Sequence, residues 1–122
     1  MDIYKQKNFV KWQKSEDIPD DAIKKTIEDF ERGIFRANLG GNVFKLDVAR
    51  PGQSKSRGFR TIVAVKKSDG KYFFLYGFPK SSRANIDESE EALFKDIADD
   101  YSNMSDTDIN QLVQDKKLFK NG

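Results

Sequence analysis

The spacing of apolar residues changes twice along this chain, and that double switch limits the folds open to it. In the first third, Ala22, Ile23, Ile27, Phe30 and Ile34 fall at near-helical spacing. From Val43 the period becomes two: Phe44, Leu46 and Val48 alternate with Lys45 and Asp47, as in a half-buried strand. After Pro79 the helical spacing returns, with Leu93, Phe94, Ile97 and Tyr101 on one stripe. Helices, then strands, then helices is the order of an α+β fold.

The local signals fill in that outline. Residues 1–5 predict a short edge strand, and Phe9, Val10 and Trp12 a short helix that ends by Asp17. Pro19 disfavours helix at Ile18, so Ile18-Pro19-Asp20 is a turn, with Asp20 or Asp21 capping the next helix. Asn38-Leu39-Gly40-Gly41-Asn42 reads as a loop. Strands over 43–49, 59–67 and 71–78 form a meander, the last two joined by a hairpin at Asp69-Gly70. Tyr72 to Phe78 is apolar on both faces, which predicts a central strand covered on both sides. Asp87 with Glu90 fits a capping box, and Ser105 caps a last short helix bearing Ile109, Leu112 and Val113. The expected architecture is a small antiparallel meander with N-terminal helices packed on it and C-terminal helices, one domain over residues 1–122.

Composition narrows the chemistry. Among 122 residues, 15 aromatics are too many for a disordered chain. With no Cys there is no disulfide framework or thiolate chemistry, and with no His there is no Ser-His-Asp triad. No apolar run approaches a membrane span, and Met1-Asp2-Ile3-Tyr4-Lys5 lacks the apolar core of a signal peptide, so the expected location is the cytoplasm. The acids between Asp87 and Asp100 are spread around a solvated helix face rather than gathered for a metal, and no metal or cofactor is expected.

The formal charge of +2 hides an asymmetry. Residues 42–83 carry ten basic and two acidic side chains, whereas residues 84–122 carry four basic and ten acidic. In a three-strand meander, the end of the first strand, the start of the second and the end of the third share one edge. Arg50, Lys55, Arg57, Arg60, Lys80 and Arg83 are thereby brought toward one end of the sheet, with no acid expected nearby. Such a cluster is an anion site, since Arg offers a planar fork to phosphate and Lys a mobile point charge. RNA is expected to approach from the side away from the acidic C-terminal stretch. The cluster can grip phosphate without chemistry. It can also cleave RNA, with a Lys whose pKa is depressed by neighbouring cations as the base.

Val48-Ala49-Arg50-Pro51-Gly52-Gln53-Ser54-Lys55-Ser56-Arg57-Gly58-Phe59-Arg60, Phe74-Leu75-Tyr76-Gly77-Phe78-Pro79-Lys80 and Arg83-Ala84-Asn85-Ile86 resemble the RelE/HigB-type toxins of bacterial type II toxin–antitoxin pairs, in the RelE/ParE superfamily. The Leu39-Gly40-Gly41 segment and the Met104-Ser105-Asp106 helix start fit the same pattern. The resemblance implies a single RelE-like α+β domain. It implies a ribosome-dependent mRNA endonuclease (an mRNA interferase) that enters the decoding site and inhibits translation. There the 2′-OH attacks its own phosphate without need of a metal. It also implies a cognate antitoxin, a helix-turn-helix protein, through which alone the complex reaches operator DNA.

Carried over by position, the resemblance makes Lys55 the candidate general base, Arg60 the residue holding the scissile phosphate, and Lys80 the acid or a second clamp. Arg50, Arg57 and Arg83 would contact RNA. Phe78 reads first as core and second as a base-stacking ring, and Trp12 as helix packing. Two other readings stay open: a ParE-like inhibitor of DNA gyrase without nuclease activity, and a non-catalytic basic RNA-binding module.

Overall fold

Alternating side chains place β3 (Val43–Val48), β4 (Phe59–Lys66) and β5 (Lys71–Pro79) in an antiparallel meander, as the period-two stretches require. The computed structural model describes residues 1–50, 52 and 58–122. The other elements are β1 (Asp2–Gln6), α1 (Lys7–Ser15), α2 (Asp20–Glu31), β2 (Ala37–Gly40), α3 (Glu88–Ser102), α4 (Asp106–Gln114) and β6 (Leu118–Lys120). The six strands lie in the order β2-β3-β4-β5-β1-β6. All pairs are antiparallel except β1 with β5.

Two expectations about the sheet are corrected. The N-terminal strand is not an edge: β1 inserts between β5 and β6, which leaves β6 and β2 as the borders. The segment read as a loop at 38–42 is in part β2, with Ala37 opposite Lys45 and Asn38 opposite Phe44.

Helices cover both faces, so the sheet is the middle layer. On one face Phe9 of α1 and Ile23 and Ile27 of α2 pack against Phe44, Leu46, Val48, Phe59, Val63 and Phe74. On the other, Phe94, Ala98 and Tyr101 of α3 and Ile109 of α4 pack against Val43, Ile62, Ala64, Phe73 and Leu75. Tyr4, Phe73 and Tyr101 stack in sequence there, with centroids 5.2 and 4.3 Å apart. Each fully buried Phe of these layers, such as Phe9, Phe59, Phe73 and Phe74, contributes roughly 1.5–3 kcal/mol.

Caps set the helix starts. Asp87 accepts from the Glu90 amide while the Glu90 carboxylate accepts from the Asp87 amide, and Ser105 and Asp108 repeat that box at α4. At α2 the cap position is Pro19, and Asp20 lies inside the first turn instead, where its carboxylate takes Lys5 at 2.7 Å and Gln13 at 2.8 Å. Among the described residues, no helix is long and apolar enough to cross a membrane.

One irregularity shapes the site. The β4–β5 register shifts between Ile62 and Val63, where Ile62 pairs with Tyr76 and Val63 with Phe74. Leu75 is the extra residue, and beyond it Tyr76 still packs on the α3 side. Gly77 then faces Trp12, where a Cβ would lie 2.2 Å from the indole Cζ3. Only glycine lets the indole seat there.

Candidate active site

Register alone lines up three side chains at one end of the sheet. Asp47 on β3 pairs with Arg60 on β4, and Arg60 pairs with Phe78 on β5. Strand alternation aims all three at the α3 face, since Phe44, Leu46, Val48 and Phe59 take the other one. Gly58 makes the entry to β4 possible: a Cβ on it would fall 2.1 Å from the Val48 carbonyl oxygen. Lys80, just past β5, comes alongside as its amide approaches the Gly58 carbonyl at 3.4 Å.

Asp47 is the hub. Its Oδ2 accepts from Arg36 Nη2 at 2.8 Å and Nε at 3.2 Å, and it lies 3.1 Å from Lys80 Nζ. Its Oδ1 faces Arg60 Nε at 3.6 Å, and neither of these two buried atoms has a hydrogen-bond partner among the described residues. Arg60 also donates through Nη1 to the Ala84 carbonyl. The Asp47, Arg60 and Lys80 side chains are 14, 16 and 14% exposed, whereas that of Arg36 is half open at 46%. The expectation of a cluster without a nearby acid is therefore corrected: three cations converge on one carboxylate. Burial raises the Asp47 carboxyl, but hydrogen bonds from Lys80 and Arg36 more than offset this and hold it below its ordinary value.

Lys45, two residues before Asp47 on the same strand face, is 7% exposed. Burial first, then the charges of Arg60 and Arg36, push its ammonium pKa down, while Glu91 and Asp47 oppose the shift. The acidic helix and the cluster share one face of the sheet. α3 packs on the same sheet face and brings Glu90 and Glu91 to its border.

The family described as RelE toxin of RelE / RelB toxin-antitoxin system matches residues 1–120. The chain belongs to the RelE toxin family. The protein is accordingly the toxin of a toxin–antitoxin pair, and membership implies an antitoxin partner. No curated protein matches the chain.

Of the site residues read from this RelE-family sequence, Arg60 and Lys80 are brought together at Asp47. Lys55 and Arg57 lie outside the described residues. Arg50 is not brought to Asp47: its guanidinium lies 4.5 Å from the ring of Phe59, which faces the α1 and α2 side of the sheet. Arg83 turns inward. It forms a two-pronged pair with Glu90, at 2.6 and 3.0 Å, donates to the Asn85 carbonyl and the Tyr76 hydroxyl, and stacks over Phe78 at 5.4 Å. Those bonds raise its already high pKa further, with Glu90 the main cause. Phe78 is 3% exposed, consistent with its reading as core.

Sequence reasoning missed Arg36, Lys45 and Asp47 as parts of this cluster. Arg36 sits in the charge-balanced first third, and Asp47 and Lys45 read as the polar face of a strand. The available signal was the hairpin register, which sets Asp47 opposite Arg60 once the meander is drawn.

Proposed function

We propose that this RelE-family toxin is a ribosome-dependent mRNA endonuclease of the cytoplasm that stops translation, acting as a single RelE-like domain over residues 1–122. The observation that carries the reading is the convergence of Arg36, Arg60 and Lys80, from three separate stretches of chain, on one carboxylate. Cations that gather around a carboxylate can gather around a phosphodiester, and the family is one of toxins that are generally endoribonucleases.

In the proposed reaction the 2′-oxygen bonds to the adjacent phosphorus and loses its proton to a base. The P–O5′ bond then breaks as an acid protonates the leaving oxygen. The products are a 2′,3′-cyclic phosphate and a 5′-hydroxyl end. Arg60 would hold the non-bridging oxygens and balance the extra charge of the phosphorane. Lys80 would act as second clamp or acid, and Lys55 as base. Arg50 and Arg57 would contact RNA backbone. The antitoxin, a helix-turn-helix protein in this reading, would block the site and alone carry the complex to operator DNA.

The test is to induce the chain in growing cells and map new RNA ends by sequencing. The expected result is 5′-hydroxyl ends within translated frames, lost when ribosomes are blocked. DNA damage without new RNA ends would instead mark a gyrase inhibitor, and RNA binding without cleavage a plain binding module.

A further inference from the structure

A carboxylate at the centre of a phosphate-binding cluster is at first sight counterproductive, because it competes with the substrate for the same cations. Its geometry explains the arrangement. Oδ2 is saturated, with Arg36 and Lys80 both within 3.2 Å. Oδ1 and Arg60 Nε face each other at 3.6 Å and, among the described residues, leave their hydrogen-bonding capacity unused, although both are buried. A purely structural buried ion pair closes such bonds, because leaving them open is costly. Arg60 is thus held less tightly by Asp47 than Arg36 and Lys80 are, and is the cation most readily given up to another anion. Without any anion, Arg36, Arg60 and Lys80 would repel one another and splay apart, and Lys45 beneath them adds to that repulsion.

We propose that Asp47 is a positioning residue that stands in for the substrate phosphate: in the free toxin it keeps Arg36, Arg60 and Lys80 gathered, and it yields Arg60 and Lys80 to the scissile phosphate when RNA enters. The identity of the anion as an RNA phosphodiester rests on the nuclease reading; the stand-in role rests on the geometry alone. Asp47 touches no reacting atom in this scheme. It sets where the cations wait, and it tempers anion affinity so that the toxin does not hold every polyanion it meets.

The experiment separates these effects. Asp47→Asn keeps the shape and removes the charge. Its affinity for inorganic pyrophosphate, and for a 2′-O-methyl RNA oligonucleotide that cannot be cut, should rise on the order of tenfold. Its cleavage rate at saturating mRNA on ribosomes should fall, and Asp47→Glu should return affinity toward the parent. A merely structural Asp47 would change the unfolding midpoint without tightening anion binding, so equal or weaker pyrophosphate binding by folded Asp47→Asn overturns the proposal. Should that variant not fold, the parent's own Asp47 carboxyl carbon can be followed by NMR during pyrophosphate titration. It shifts as the ligand saturates if the carboxylate is displaced, and an unmoved resonance overturns the proposal. A parent that cuts no mRNA, beside a variant that binds pyrophosphate more tightly, would sink the nuclease reading and support the stand-in.

Discussion

Asp47 and Arg60 face each other across the β3–β4 pair, with Oδ1 and Nε 3.6 Å apart and no hydrogen bond closing the gap. Two strands thereby deliver opposite charges to one point, and the segments around Arg36 and Lys80 add two more cations to it.

Acid should loosen the site through Asp47. Its carboxyl lies below the ordinary value of 3.8 in the folded chain, because hydrogen bonds from Lys80 and Arg36 outweigh burial. A depressed carboxyl contributes stability that is present above its unfolded pKa and lost as pH falls through the folded value. Urea unfolding midpoints measured from pH 7 down to pH 3 should drop in the parent below about pH 4. The drop should be smaller in Asp47→Asn, and parallel curves would remove Asp47 from the explanation.

Gly77→Ala should dislodge Trp12. The added Cβ would meet three indole carbons at 2.2 to 2.6 Å, and the strand backbone on one side leaves the ring as the part that must move. A cost of roughly 1–3 kcal/mol is expected from such overpacking. Thermal unfolding gives the cost, and fluorescence of the single tryptophan reports the displacement as a red shift.

Arg83→Ala should behave as a scaffold change more than as a lost RNA contact. The guanidinium already holds Glu90, the Asn85 carbonyl and the Tyr76 hydroxyl. The expected outcome is a lower unfolding midpoint with an RNA salt dependence little changed. A phosphate contact would instead flatten the slope of log affinity against log salt by about one.

The meander was legible because Phe44, Leu46 and Val48 alternate with polar residues, and because Asp69-Gly70 marks its second turn. β2 and β6, of four and three residues, were not. Strands this short carry no alternation to read, and their pairing is imposed from far along the chain, as when Gln6 meets Leu118. The same distance effect hid the place of β1, which is inside the sheet only because β6 lies beyond it. In the site, the approach of Arg60 to Lys80 follows from meander topology, which local sequence encodes. Asp47 escaped because a single acid in a basic stretch reads as a solvated strand face, and Arg36 because its segment has no net charge. Their roles arise from cross-strand register, which a residue count does not capture.

If Arg60 and Lys80 hold the phosphate that is cut, the reaction itself must depend on them. Cleavage of a defined mRNA on purified ribosomes should be timed by primer extension for the parent, Arg60→Ala and Lys80→Ala, each first shown to be folded by circular dichroism. Both variants should cut at least ~100-fold more slowly than the parent, the usual scale for removing one charge-stabilising group. Folded variants that both cut at the parental rate would refute the assignment of this cluster as the catalytic centre.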